Sequence, residues 1–206
     1  MLYNESILAD VRYNAQVIFN IEFMMEILTR IASSLKTLRK ERGWSLDKTA
    51  QETGVSKAML GQIERAESSP TISTLWKIAS GFKVPFSLFI ADDQPDHGTT
   101  GQTKVLHPSD DKIKVLPIFP FDEKLKCEMF LIELLPGCEH ISLPHQPNVI
   151  EHVLVAEGSM EVFSNSAWKL LTKGQGLRFD ACQPHGYRNF SEQSSTIYDI
   201  IHYPAD

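Results

Sequence analysis

The sequence predicts a two-domain α + β protein, in which a compact domain of five short helices precedes a small antiparallel β-barrel. Between residues 26 and 91, apolar residues recur at intervals of three and four, which is the spacing of one helix face. Beyond residue 104, short runs rich in Val, Ile, Phe and Leu alternate with turn residues. Such alternation is typical of the strands of a sandwich or barrel.

The segment between the two patterns is rich in Asp, Gly and Thr and lacks apolar periodicity, as linkers do. We therefore expect a helical domain at residues 26–91, a linker at 92–104 and a β domain at 105–206. Residues 1–25 form an N-terminal extension, for which an ordered helix and an additional leader are both open interpretations.

The first helix is predicted from Leu28 onward, because Leu28, Ile31, Leu35 and Leu38 share one face and Gly43 follows the last turn. Capping residues or turn residues delimit the remaining helices. The expected segments are Leu46–Thr53 after Ser45, Lys57–Arg65 after Ser56, Ile72–Phe82 after Pro70 and Thr71, and a short piece that ends near Ile90.

The β domain is predicted from five apolar runs that turn residues such as Pro136-Gly137 and Lys173-Gly174 separate. These runs are Ile113–Phe119, Lys126–Leu135, His152–Phe163, Gly176–Phe179 and Thr196–His202. Alternate residues of each strand should face the barrel interior.

Charge is distributed unevenly over the 206 residues, although the net charge of the whole chain is −6. Residues 26–91 carry ten basic and six acidic side chains, a net of +4, whereas residues 92–206 carry a net of −8. Affinity for DNA depends on the local field at the contact face, so the helical domain is the candidate partner of nucleic acid.

Cysteine usage and hydropathy indicate a cytoplasmic protein without a membrane span. The three cysteines form no CxxC pair, which fits a reducing compartment. The chain has no apolar run near 18 residues and no signal peptide pattern at its N-terminus.

A helix, a glycine turn and a second slender helix occupy residues 46–65. Ala50 is small enough for a close helix crossing, Gly54 permits a tight turn, and Leu60 and Ile63 would anchor the second of these helices. Its remaining face carries short, polar or basic residues that suit the major groove. These residues are Ser56, Lys57, Ala58, Met59, Gln62 and Arg65.

Residues 43–90, with I-E-R, P-T and T-L-x-K-I-A, resemble the lambda-repressor-like (XRE-class) helix-turn-helix family. The resemblance implies that Lys57, Ala58 and Gln62 contact bases and that Ser56 and Met59 flank them. Leu46 stands where family members often carry a polar phosphate contact. Candidate phosphate contacts are therefore Ser45, Arg39 and Arg42. Glu64 would repel phosphate and is expected to pair with a neighbouring basic side chain or to cap backbone amides.

His145, Glu151 and His185 are the residues of the β domain that could converge inside the barrel. Imidazole and carboxylate suit zinc, iron, nickel or manganese, and three protein ligands would leave one position open. Two interpretations of this site remain open: it binds one divalent metal, for which zinc is the first candidate, or it is a polar pocket without metal. Other candidate pocket residues are Tyr187, Arg188, Tyr198 and His202, whereas His140 and His152 are expected to be packed or on the surface.

Gly137 to Gly158 and Gly174 to Asn189 resemble the two motifs of the cupin family, a double-stranded β-helix fold. By position, His145, Glu151 and His185 match three of its metal ligands. Pro147 stands at the second histidine position, and Asp180 and Cys182 replace a proline and a glycine of the second motif. The resemblance therefore implies at most a three-ligand site.

Together the two resemblances imply a transcriptional regulator in which the cupin domain senses a small metabolite and alters DNA binding. The expected partners are a double-stranded operator, a second copy of the chain and an effector. The stretches GVSKAMLGQIER, ESSPT, TLWKIA, VIEHV and IIHYP resemble regulators of sulfur utilisation, which implies a sulfur-containing amino acid as effector. The alternatives are a metal-dependent cupin enzyme of the dioxygenase or isomerase type, and a protein-binding adaptor. Of these, we expect a regulator and not an enzyme.

Overall fold

The structure is a computed structural model, and it describes residues 25–91 and 112–204. The predicted linker at 92–104 lies outside these ranges, as does the predicted extension at 1–25 except for its last residue. None of the described helices is both long and apolar enough to cross a membrane.

The described part of the first domain contains four α-helices and one 3₁₀ turn. They are α1 (25–41), α2 (Leu46–Thr53), α3 (Lys57–Glu64), α4 (Ile72–Phe82) and the 3₁₀ turn Phe86–Phe89. The predicted helix order is correct, and Ser45, Ser56 and Thr71 cap α2, α3 and α4 with their side chains. The expected fifth helix is a single 3₁₀ turn, because the four residues that follow Pro85 are too few for a stable α-helix.

One apolar core holds the helices together. Leu35, Leu60, Leu75 and Phe82 are fully buried in it. The helix α4 approaches α2 so closely at Gly81 that a Cβ atom there would lie 2.7 Å from the backbone of Glu52 and Thr53. The positions of α2 and α4 are therefore tightly linked.

The second domain contains nine strands among the described residues. They are β1 (Ile113–Asp122), β2 (Cys127–Leu134), β3 (Cys138–Ser142), β4 (Ile150–Glu157), β5 (Ser159–Ser164), β6 (Ala167–Thr172), β7 (Gly176–Asp180), β8 (His185–Asn189) and β9 (Ser195–His202). The predicted run His152–Phe163 is two strands, because Gly158 turns the chain with φ 77°. The runs predicted from the sequence do not include β3, β6 and β8.

The strands form two antiparallel sheets, one of five strands in the order β1-β2-β9-β4-β7 and one of four in the order β3-β8-β5-β6. Alternate residues along β2 and β9 are buried, so each sheet turns one face inward and the two inner faces enclose the barrel interior. The predicted small antiparallel barrel is confirmed.

The helical domain lies against one end of the barrel. Trp76 of α4 stacks on Phe86 with ring centroids 4.0 Å apart, and both rings meet the edge of Phe130 of β2. Since Phe130 faces the barrel interior, α4 and the 3₁₀ turn pack over an open end of the β domain.

Candidate nucleic-acid interface and metal centre

The outward face of α3 carries the predicted base-contacting residues. Leu60 and Ile63 are buried against the domain core, which fixes the orientation of the helix. The Ser56 hydroxyl accepts the Met59 amide N–H at 3.3 Å and begins the helix. The exposed residues that share the opposite side are Ser56, Lys57, Ala58, Met59 and Gln62.

Lys57 forms an ion pair with Asp47, its ammonium nitrogen lying 2.8 Å from a carboxylate oxygen. Both side chains are more than half exposed. Exposed pairs of this kind contribute little to stability, so Lys57 can exchange Asp47 for a group on DNA at small cost.

The phosphate candidates differ in how strongly they are held within the domain. Ser45 is exposed at the start of α2, where its hydroxyl accepts the Lys48 amide N–H at 3.1 Å. Arg39 donates to both carboxylate oxygens of Glu64, with Nη2 to Oε2 at 2.8 Å, and its hydrogen bonds to Glu64 raise the pKa of the guanidinium. The predicted pairing of Glu64 with a basic side chain is thus confirmed.

Arg42 donates to the Phe82 carbonyl at 2.9 Å and lies over the Trp44 ring. Arg39 also donates to the carbonyl of Trp44 at 3.1 Å. The sequence assigned both arginines to phosphate, whereas in the structure they connect the helices to each other. Of the three phosphate candidates, Ser45 is the one that is exposed and does not connect one helix to another.

In the barrel, three predicted donor groups converge. His145 lies in the loop between β3 and β4, Glu151 is on β4, and His185 begins β8. Their donor atoms lie within 4.8 Å of one another. Glu151 Oε1 is 2.8 Å from His145 Nε2 and 3.4 Å from His185 Nε2. Zinc bonds of about 2.0–2.2 Å place tetrahedral ligand atoms roughly 3–3.5 Å apart. The two distances from Glu151 lie near this range and the three groups are of the types that zinc binds, so they form a candidate site for one metal ion.

The second nitrogen of each imidazole has its own partner. Nδ1 of His185 lies 2.9 Å from the Gln183 carbonyl oxygen, which can only accept, so Nδ1 carries the hydrogen. Nδ1 of His145 lies 3.4 Å from the Ser80 hydroxyl. Nε2 of each ring now faces a carboxylate oxygen of Glu151 as a hydrogen-bond donor, so a metal ion bound here would replace that hydrogen while Nδ1 keeps its own.

Opposing electrostatic effects act on this cluster. Burial raises the pKa of Glu151, but His185 and His145 together lower it by a larger amount, so the pKa of this carboxyl lies well below its usual range. Burial lowers the pKa of His185, but the charge and hydrogen bond of Glu151 and the Gln183 carbonyl together raise it above its usual value. The Tyr187 hydroxyl donates to the other oxygen of Glu151 and holds the carboxylate in place.

Only one of the four candidate pocket residues faces the barrel interior. Tyr187 is buried beside Glu151. The assignment of the other three is wrong because they have the opposite parity on their strands. Arg188 pairs with Glu161 on the outer face of the smaller sheet, Tyr198 alternates with the buried Asp199, and His202 contacts the ring of His152.

His140 has a larger role than the sequence indicated. It is buried on the inward side of β3, where Nδ1 lies 3.2 Å from the Ser73 hydroxyl and Nε2 lies 3.2 Å from the Ser142 hydroxyl. Ser73, like Ser80 and Trp76, belongs to α4 of the helical domain. The inward parity of His140 with Cys138 and Ser142 becomes visible only once the bounds of β3 are known.

Glu128 is a second residue that the sequence reasoning missed. Its buried carboxylate accepts the amide N–H of Phe86 at 3.0 Å, that of Ser87 at 2.9 Å, and the hydroxyl of Tyr203. Burial raises the pKa of Glu128, and these hydrogen bonds counteract part of that shift. The signal was a charged residue at an inward position of β2 among Phe130, Ile132 and Leu134.

Known proteins share both domains. A family model described as Helix-turn-helix (HTH_3) matches residues 35–89. The HTH-type transcriptional regulator SutR of Escherichia coli (strain K12) is 46% identical over 181 residues, which is 87% of this chain and 99% of SutR. This chain belongs to the XRE-type helix-turn-helix regulators that carry a cupin domain.

Two solved structures extend the comparison for this regulator. An HTH_3 family transcriptional regulator from Vibrio cholerae is 46% identical, with a TM-score of 0.77, and covers 88% of this chain and 99% of its own. A Cupin_2 domain of an XRE family transcriptional regulator from Enterobacter cloacae is 42% identical, with a TM-score of 0.45, and covers 46% of this chain and 100% of its own.

Proposed function

We propose that this regulator binds a specific DNA operator as a homodimer in the cytoplasm and that its cupin domain senses a small metabolite. The exposed face of α3 carries the proposal, because Lys57, Ala58 and Gln62 project from a helix whose other side is buried. A slender helix of this composition can enter the major groove and contact base edges. Ser45 adds a phosphate contact. Arg39 and Arg42 add further phosphate contacts through guanidinium N–H groups that do not donate to other groups of the domain.

Homodimer formation is part of the proposal, because one helix-turn-helix unit contacts too few base pairs for useful specificity. The outer face of the five-stranded sheet supports it. Leu131, Leu154 and Tyr198 lie side by side there in register, and Leu154 is 46% exposed. Burying such a face against a second copy would remove apolar surface from water.

The sensor is proposed to hold one divalent metal, with zinc first, on His145, Glu151 and His185. The tautomer that Gln183 imposes on His185, together with the ionised Glu151, supports this ligand set. A bound ion of this kind supplies a Lewis-acidic position at which a water or a metabolite group is held. The proposed effector is a sulfur-containing amino acid, whose thiolate is a soft ligand that zinc accepts.

The double variant Lys57→Ala with Gln62→Ala tests the DNA-binding assignment. A duplex that the wild-type chain selects from random sequences serves as the probe in a gel-shift titration. A base contact contributes about 1–3 kcal/mol to discrimination, so we expect at least a tenfold loss of affinity and weaker discrimination against mismatched duplexes.

Cysteine, with serine as the control that lacks the thiol, tests the effector class in the same assay.

Lys169→Ala is the matched control, because this exposed lysine lies on β6, far along the chain from α3. It should leave affinity for the duplex near the wild-type value. Unchanged affinity and discrimination in the double variant would refute the assignment of α3. Affinity that is insensitive to salt would favour a protein-binding adaptor, since phosphate contacts release counterions and weaken as salt is added.

A further inference from the structure

The DNA-binding domain contributes side chains to the surroundings of the candidate metal ligand His145. Trp76 of α4 lies beside its ring, with centroids 5.4 Å apart, and Ser80, one helical turn later, faces Nδ1 at 3.4 Å. On the other side of the same ring, Nε2 lies 2.8 Å from Glu151. One imidazole therefore connects the barrel interior to the helix that supports the DNA-reading unit.

The Ser80 hydroxyl can accept a hydrogen from Nδ1 of His145, an arrangement that leaves Nε2 as the ligating nitrogen. In this arrangement Nε2 points toward Glu151 and His185. Partners of this kind fix the tautomer and the ring orientation of metal-bound histidine. For His185, the Gln183 carbonyl within the barrel accepts the hydrogen of Nδ1, whereas for His145 the corresponding partner belongs to the helical domain.

The cleft between the domains at this point is small. It has a volume of about 20 Å³, enough for about one water molecule, and residues of both domains line it. Trp76 and Ser80 line it from the helical domain, and His140 and His145 line it from the barrel. The seated position of α4 is therefore well defined by packing, and a shift of α4 would change the surroundings of His145.

Movement of α4 would also reach the DNA-reading helices. The contact of Gly81 with the backbone of Glu52 and Thr53 leaves no room between α4 and α2. The helix α2 in turn precedes α3 by the short turn at Gly54. A packed contact of this kind transmits a displacement instead of absorbing it.

We propose that Ser80 and Trp76 are positioning residues for the metal centre, so that metal binding and the seating of α4 on the barrel stabilise each other. This inference rests on the metal-bearing sensor proposed above. By linkage, the factor by which bound metal favours the seated position of α4 equals the factor by which seating of α4 raises the affinity for metal.

The test compares the full chain with Ser80→Ala and with the matched control Ser33→Ala, an exposed serine of α1. Zinc affinity is measured by competition with a chromophoric chelator. Removing such a hydrogen-bond partner typically costs 10–100-fold in metal affinity, so we expect Ser80→Ala to bind zinc about tenfold more weakly. Ser33→Ala should bind zinc as the wild-type chain does.

Hydrogen exchange with and without zinc supplies a readout that a merely structural role would not move. Zinc should slow amide exchange in α4 of the wild-type chain, and this zinc-dependent difference should disappear in Ser80→Ala. A serine that only stabilises the helix would alter exchange equally with and without zinc. Equal zinc affinities of Ser80→Ala and wild type would overturn this inference alone. Absence of zinc binding by the wild-type chain would overturn the proposed metal site and this inference with it, while the DNA titration would still test the recognition helix.

Discussion

At the scale of single residues, His140 shows how the domain junction depends on protonation. The ring is buried, with one nitrogen facing Ser73 of the helical domain and the other facing Ser142. Burial, and to a smaller extent the neighbouring His185, lower the pKa of His140 from 6.5 to about 4. His140 is therefore neutral in the folded protein at pH 7.

This shift predicts a loss of stability in mild acid. Between pH 6.5 and about 4 the unfolded chain binds a proton that folded His140 does not bind, so stability is complete above pH 6.5 and falls as the pH falls toward 4. The full effect is about 3 kcal/mol at most. Urea unfolding of wild type and His140→Gln across this range should give a flatter profile for the variant, which cannot titrate. Parallel profiles would contradict the assignment.

The same histidine shows which site residues a sequence can reveal. His145, Glu151 and His185 could be found because the spacing of the two cupin motifs marks them. Arg188, Tyr198 and His202 were misplaced because a shift of one position reverses the face of a strand. The inward position of His140 follows from the bounds of β3, a strand that the apolar runs do not reveal.

At the scale of elements, local signals predicted the helices better than the strands. The bounds of α2 and α3 depend on Ser45 and Ser56 and on Gly54, whose φ of 67° ends α2. These interactions are made within a few residues and are visible in the sequence. The strand β8 pairs with β3, far earlier in the chain, and its polar residues conceal it from a search for apolar runs. The strand β6 pairs with its neighbour β5 across a short turn, but it lies at a sheet edge and is mostly exposed.

Two glycines in helices give a matched test of the packing between elements. Gly81→Ala places a methyl group 2.7 Å from the backbone of Glu52 and Thr53, so α2 and α4 must move apart. We expect a destabilisation of about 1–3 kcal/mol, because overpacking exceeds the gain in helix propensity. Thermal unfolding monitored by circular dichroism measures the change.

Gly61→Ala in α3 is the control. Its Cβ would meet the end of the flexible Arg65 side chain at 3.3 Å and the Leu46 side chain at 3.8 Å, so little has to move. The variant should be as stable as wild type or up to about 1 kcal/mol more stable, since alanine favours the helix. Equal losses in both variants would show that the α2–α4 contact is not the constraint we infer.

At the scale of the whole molecule, the arrangement of the two domains was beyond sequence reasoning. The sequence predicted separate domains joined by a linker, with no sign that α4 and the 3₁₀ turn cover the end of the barrel. The decisive contact joins Glu128 to the amides of Phe86 and Ser87, which lie about 40 residues earlier in the chain. The inward position of Glu128 is visible in the pattern of β2, but nothing near it in the sequence indicates that its partners are the amides of Phe86 and Ser87.

Glu128→Gln tests whether this contact holds the domains together. The two oxygens of the carboxylate accept one amide each, whereas glutamine offers one oxygen and turns an NH₂ group toward the second amide. One buried N–H then loses its partner, which costs about 1–3 kcal/mol. We expect the helical signal in circular dichroism to be lost at lower urea than in wild type, while the barrel unfolds where it did.

The control Glu157→Gln changes a carboxylate that pairs with Lys173 at an exposed site, and it should leave both transitions in place. Tryptophan fluorescence separates the domains once Trp168 of the barrel and Trp76 at the junction are replaced by phenylalanine, because Trp44 then reports on the helices alone. If Glu128→Gln lowered both transitions together, Glu128 would be a fold residue of the barrel and not a junction residue. A helical transition that moves by itself would show that the helical domain is held on the barrel by a contact that can be released without unfolding the barrel.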